Sequence, residues 1–172
     1  MSVHDHSAHV AEEAYRKSLR KDLLHGALAG VLAGAAMMIL FFAYDMLSFK
    51  PLATPDFLSS ALLGGGEPNA ETAVKLRTAR IAGFTTFHLL VFTVLGITLA
   101  RFLRFTGLKK TLLAGGLYGL IVCTAIFNVS MQVTGTQLAA ATGWPALLAG
   151  NFAAGIVMVA FLRRAEQVDP SN

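Results

Sequence analysis

Long runs without Asp, Glu, Lys or Arg alternate along this chain with short segments in which charges gather. Between Asp22 and Asp45 the residues Leu23 to Tyr44 carry none, and between Arg80 and Arg101 neither do Ile81 to Ala100. Each run is close to the ~20 residues that an α-helix needs to cross the hydrocarbon of a bilayer. From Lys110 to Arg163 the interval Thr111 to Leu162 is again free of charge, too long for one crossing and right for two. A turn within it is written in Thr134-Gly135-Thr136 and Thr142-Gly143-Trp144-Pro145, where Pro145 suits the first turn of a helix and Trp144 the membrane interface. The pattern predicts an all-α membrane protein of four transmembrane helices in an antiparallel up-down bundle. The expected spans are residues 22–49, 80–104, 111–133 and 144–164, with an inner loop over 105–110 and an outer turn over 134–143.

Two further helices are expected outside the membrane. Residues 10–21 predict a cytoplasmic amphipathic helix, because Glu12/Arg16 and Glu13/Lys17 are i,i+4 pairs in the favourable order and Tyr15, Leu19 and Leu23 share one side. In the outer loop over 50–79, Thr54-Pro55-Asp56 resembles a helix start, and Gly64-Gly65-Gly66 a stop, so a short interfacial helix is expected near 55–63. Residues 1–9 are expected to form a flexible His-containing tail and 165–172 a C-terminal tail.

Composition agrees with this reading and narrows it. The chain has 172 residues, 55% of them hydrophobic and only 14% charged, with a mean hydropathy of +0.60. Its net charge of +4 does not point to nucleic acid, since the basic residues flank apolar runs instead of gathering on one soluble face. They do give an orientation. Arg16, Lys17, Arg20, Lys21, Arg101, Arg104, Lys109, Lys110, Arg163 and Arg164 fall on one side, against Lys50, Lys75, Arg77 and Arg80 on the other. By the positive-inside rule both termini are cytoplasmic. The first apolar run is longer than the ~7–15 residues of a signal h-region and follows a long polar stretch, so it reads as a retained anchor. The lone Cys123 excludes an internal disulfide, and its neighbours Val122 and Ile126 suggest a packed, inert thiol.

Helices in lipid associate through close packing and occasional hydrogen bonds more than through hydrophobic burial. Gly26, Gly30 and Gly34 at four-residue spacing, and Gly115 with Gly119, mark the expected contact faces of spans one and three. Counting the ~1.5 Å rise inward from each outer end puts His88, Asn128 and Asn151 roughly 8–12 Å deep, near Tyr44 and Asp45 at the end of span one. Thr85 lies a turn before His88, and Thr124 and Gln132 lie a turn either side of Asn128. Polar groups in hydrocarbon are costly unless partnered. Tyr44, Asp45, Thr85, His88, Asn128, Gln132 and Asn151 are therefore expected to meet in an outer-leaflet cluster, as an interhelical clasp or as a pocket for a quinone-, lipid- or pigment-like ligand. Asn128 lies nine residues from Gly119, on the opposite side of span three, so that two faces of this helix are expected to make contacts.

Other candidate chemistry is thin. His4, His6 and His9 could hold a metal weakly from a solvated tail. His25 lies near the inner end of span one and His88 in the outer half of span two, so the two cannot ligate one haem iron, and no cofactor is required by the sequence. There is no serine elbow, no His-Glu-x-x-His, no phosphate-cradling glycine loop and no carboxylate pair within a span, which argues against an enzyme. A coupled transporter lacks the deep carboxylate it would use, since Asp22 and Asp45 sit at span ends. The function expected from these features is an accessory or structural subunit that packs against other membrane proteins of a larger complex, such as a respiratory or photosynthetic one, or that self-associates. The alternative is a small-ligand-binding protein or small transporter using the polar cluster. Membrane lipids are expected partners and nucleic acid is not.

The run Gly26-Ala27-Leu28-Ala29-Gly30-Val31-Leu32-Ala33-Gly34, followed by Tyr44-Asp45, Pro51-Leu52 and Thr54-Pro55, resembles small uncharacterised four-span membrane proteins of bacteria. The resemblance implies a prokaryotic cytoplasmic membrane and no activity.

Overall fold

The structure, a computed structural model, describes residues 3–63, 70–106, 111–134 and 144–168. Among them every regular element is helical. α1 runs from Val3–Leu47, α2 from Ala53–Leu63 and α3 from Ala70–Thr106. The next crossing is built in three pieces without a break: α4 over Leu112–Tyr118, a π-helical turn over Gly119–Cys123 and α5 over Thr124–Thr134. α6 closes the described chain over Trp144–Val168. Four stretches are long and apolar enough to cross a membrane: Tyr15–Leu47, Lys75–Thr106, Leu112–Ser130 and Trp144–Val168. Their outward faces carry Ile39, Leu90, Val94, Leu113, Ile121 and Val129, each at least 60% exposed, a surface that suits lipid and not water. The fold is thus compatible with an integral membrane protein.

Several boundaries differ from those the sequence predicts. Nothing between Val3 and Leu47 is a proline, and no glycine occurs before Gly26, so nothing breaks the backbone ladder between the expected tail, the amphipathic helix and span one. They form a single helix of 45 residues, and residues 3–9 are its first turns, where a flexible tail was expected. The pair Arg16 to Glu12 closes at 2.7 Å on its exposed side. α3 likewise starts at Ala70, eleven residues before the charge-free run, and α6 continues through Arg163 and Arg164 to Val168. Charged residues are good helix formers, so loss of hydrophobicity ends a membrane span without ending its helix. α2 begins at Ala53, two residues ahead of the expected interfacial helix. The glycine stop at 64–66, the inner loop at 107–110, the outer turn at 135–143 and the tail from 169 lie outside the described residues.

Contacts between helices are antiparallel where glycine registers them. Along α1, Gly26 meets Gly96 and Ile97 of α3, Gly30 meets Phe92 and Thr93, and Gly34 meets Leu89 and Phe92. A Cβ on Gly96 would lie 2.2 Å from the Gly26 carbonyl oxygen and 2.5 Å from the Gly30 nitrogen. Only bare backbone fits there. The second seam joins the third crossing to α6, where a Cβ on Gly119 would lie 2.0 Å from the Asn151 carbonyl oxygen and one on Gly155 2.0 Å from that of Gly115. α1 also packs on α6, with Met37 and Phe41 over Gly150. The interior that results holds Ala29, Ala33, Leu95, Leu99, Leu147, Met158 and Val159.

The π turn has a geometric consequence for span three. In a plain α-helix, residues four apart drift by about 40° per step, which would carry a four-residue repeat off the contact face. Gly115, Gly119, Cys123 and Phe127 nevertheless all face inward, buried or partly buried. The wider i→i+5 turn at Gly119–Cys123 absorbs the drift and keeps the face toward its neighbours. Thr111 starts this span as an N-cap, its side-chain oxygen accepting from the Ala114 amide at 3.1 Å.

Candidate functional site

The C-terminal end of α1 reverses sharply before α2. Phe49 (φ 55°) and Leu52 (φ 64°) both take the left-handed conformation that side-chain-bearing residues avoid. What holds the reversal is Asp45, 3% exposed, which anchors it at three points. Its carbonyl accepts from the Lys50 amide at 3.0 Å, and its carboxylate accepts from the Thr54 amide at 2.8 Å and the Thr54 hydroxyl at 2.6 Å. The carboxylate thereby satisfies an otherwise unpaired amide at the start of α2 and lies near the favourable end of its dipole. A second tie is the ion pair of Arg77 with Asp56 at 3.1 Å, which fastens α2 to the N-terminal extension of α3. It is solvent-exposed and correspondingly weak.

Pinned in this way, α2 closes one end of a cavity of about 290 Å³. Leu52, Thr54, Pro55 and Leu58 form that end; Met37, Met38, Phe41 and Phe42 come from α1; Phe84, Thr85, Phe87, His88, Val91, Phe92 and Leu95 come from α3. The remaining wall is Cys123, Ile126, Phe127 and Ser130 of the third crossing with Leu147 and Asn151 of α6. Six phenylalanines and two methionines make this lining apolar, aromatic and adaptable. Phe42, Phe87 and Ile126 are also exposed on the outside of their helices, so the rim of the cavity reaches the exposed apolar surface of the bundle.

His88 stands in this wall between two rings on its own helix face, Phe84 with centroids 5.7 Å apart and Phe92 at 4.6 Å. The i,i+4 spacing produces the ladder. Its Nε2 is buried with no hydrogen-bond partner, a condition shared among the described residues only with Arg80 Nε. Thr54, Asn151 and Ser130 in the same wall are engaged, Thr54 by the Asp45 carboxylate. Asn151, 2% exposed, donates from Nδ2 to Thr124 Oγ1 at 2.9 Å, and Ser130 donates to the Ile126 carbonyl at 2.9 Å. Below the cavity the Tyr118 hydroxyl donates to the Leu95 carbonyl at 2.9 Å and ties the third crossing to α3.

The expected outer-leaflet cluster is therefore divided. Thr85, His88 and Asn151 line one cavity, and Asp45 reaches it through Thr54. Tyr44 is 43% exposed on the outer side of α1. Asn128 and Gln132 are also exposed, and do not join the others as expected. The reason is that span three has one packed face in this chain, through Gly115, Gly119 and Cys123, and Asn128 points away from it. Sequence reading missed Thr54 as the partner of Asp45, and Gly96 and Gly155 as the counterparts of the glycine faces. A Thr at the start of a short helix nine residues after a carboxylate was the available signal for the first.

His9 is exposed, and the side chains of His4 and His6 lie outside the described residues. No group of three metal-ligating side chains occurs among the described residues. No protein-family model, curated protein or solved structure matches this chain.

Proposed function

We propose that this chain is an integral membrane protein that binds a small uncharged lipophile in the cavity beneath α2. The observation that carries the reading is a 290 Å³ space walled almost wholly by apolar side chains, with the one imidazole of that wall lacking a partner at Nε2. An apolar cavity of about 150 Å³ is enough to admit benzene, so this one suits a body of roughly a dozen carbon atoms. Aromatic walls favour a flat or unsaturated body, as in a quinone or an isoprenoid. A hydroxyl or carbonyl on the ligand at the level of His88 would satisfy the imidazole, which otherwise bears the cost of an unpaired polar group in an apolar setting. The lipid-facing rim supplies a route from the bilayer.

Solvent extraction of the protein purified in mild detergent, followed by mass spectrometry, tests this. A lipophile at one per chain, lost when Thr85→Trp fills the cavity, is the expected result. If the native chain carries none, and added quinone or isoprenoid binds both forms equally, the reading fails.

A second reading is an accessory subunit of a larger membrane complex. Its support is the breadth of exposed apolar helix face, from Leu24 and Ile39 on α1 to Leu90 and Val94 on α3, on a chain whose sequence shows no catalytic motif. Copurification of a defined set of other membrane proteins at fixed stoichiometry would favour it. For either reading, the distribution of Lys and Arg supports both termini in the cytoplasm, and reporter tags at the two ends should report that same compartment.

A further inference from the structure

The imidazole of His88 is held by the backbone of α1, through a hydrogen bond to Gly34. The Gly34 N–H is spent on the ladder of an uninterrupted helix, so the atom that takes this bond is the carbonyl oxygen, which has a second lone pair. Nε2 has no partner, and the nitrogen that donates is therefore Nδ1. Glycine at position 34 permits the approach. A Cβ there would lie 3.1 Å from Phe92 Cβ and 3.3 Å from Leu89 Cδ2, both close to His88 on α3.

A neutral imidazole has one N–H and one bare nitrogen. No Asp, Glu, Lys or Arg lines the cavity, so nothing in its wall compensates a charged ring. With the proton on Nδ1, Nε2 offers a lone pair to whatever occupies the space. A carbonyl or ether oxygen sets another lone pair against it, whereas a hydroxyl brings a proton. Thr85, three residues before His88 in the same wall, has a hydroxyl without a hydrogen-bond partner among the described residues. Residues so spaced are neighbours on one helix face. We infer that the cavity selects a lipophile bearing a hydroxyl group, a phenol or an alcohol, over the matching ketone, quinone or ether. His88 Nε2 accepts the ligand's proton, and Thr85 Oγ1 donates to the same ligand oxygen. The inference rests on the cavity being a lipophile site and adds what the polar end of that lipophile must be. Because a quinone offers acceptors only, the two oxidation states of one carbon skeleton are told apart, and the reduced form is the one held.

Equilibrium binding to the full chain in mild detergent tests this, with naphthalene, 2-naphthol, 2-methoxynaphthalene and 2-acetylnaphthalene as probes. They share one flat body and differ in the polar group, and the partition of each into protein-free micelles is subtracted. The unaltered chain should bind 2-naphthol about tenfold more tightly than the ether or the ketone, the worth of one or two hydrogen bonds made out of water. His88→Phe keeps a ring between Phe84 and Phe92, and should abolish that preference while naphthalene still binds. Thr85→Val keeps the shape of the wall and should reduce the preference about threefold. The unaltered chain and Thr85→Val decide the matter even if His88→Phe does not fold. Naphthalene binding together with equal affinity for 2-naphthol and 2-methoxynaphthalene, or with tighter binding of 2-acetylnaphthalene, overturns the inference and leaves the cavity reading in place. So does a preference for 2-naphthol that survives His88→Phe. Failure of naphthalene to bind, or naphthalene binding unaffected by Thr85→Trp, removes the cavity reading and this inference with it.

Discussion

Asp45 and Thr54 are joined twice, the carboxylate accepting from the threonine amide at 2.8 Å and from its hydroxyl at 2.6 Å, across a turn containing two left-handed side-chain-bearing residues. The bonds are buried and, to a carboxylate, charge-assisted, the stronger class of hydrogen bond. Asp45→Ala should lower stability by about 3 kcal/mol, since it strands an amide and a hydroxyl as well as removing two bonds. Asp45→Asn should cost roughly half as much, because the carboxamide still accepts one bond. Unfolding in mixed micelles with rising dodecyl sulfate measures both, and equal losses for the two variants would show that the charge is irrelevant.

Backbone contact at Gly96 leaves no room for a methyl group, whereas Gly150 has space. An alanine Cβ at Gly96 would lie 2.2 Å from a carbonyl oxygen, against 3.4 Å from the edge of the Phe41 ring at Gly150. Gly96→Ala should therefore cost about 1–3 kcal/mol by forcing α1 and α3 apart. Gly150→Ala should be neutral or stabilising by up to about 1 kcal/mol, through the better helix propensity of alanine. The same unfolding titration checks the pair, and a similar loss at both positions would contradict the packing described.

Thr124→Val preserves shape but removes the acceptor of the Asn151 amide, and should cost about 1 kcal/mol. Thr124→Ser, which keeps the hydroxyl, should recover most of that loss. Tyr118→Phe should cost about as little, since it removes one donor to a carbonyl. Hydrogen exchange at the amides of the third crossing, compared among the three variants, would locate the effect.

At the end of the bundle away from α2, Arg104 pairs with Asp22 at 2.8 Å, with the arginine side chain 42% exposed. Solvent screens such a pair, so Arg104→Ala should cost under about 1 kcal/mol. The difference should shrink further between 0.05 and 0.5 M salt, on the order of the change in Debye length from about 14 to 4 Å. A loss that grows with salt would mean that Arg104 acts through packing.

Charge spacing alone made the four apolar crossings legible. A run of about twenty residues without charge can satisfy its backbone in hydrocarbon only as a helix, and that requirement is local, so Leu23 to Tyr44 and Ile81 to Ala100 declare themselves without their neighbours. The glycine spacing on spans one and three was equally visible, because helical periodicity follows from backbone geometry. What each polar group meets was decided in three dimensions. Asp45 turned to Thr54 because α2 folds back onto the end of α1, Asn151 found Thr124 across a helix seam, and His88 came to line a cavity formed by residues up to 114 positions apart in sequence, from Met37 to Asn151. Asn128 faced outward because a π turn and the Gly119 contact together fixed the rotation of span three. Rotation about a helix axis depends on the shapes of all the surfaces packed against it, and no one segment contains that information.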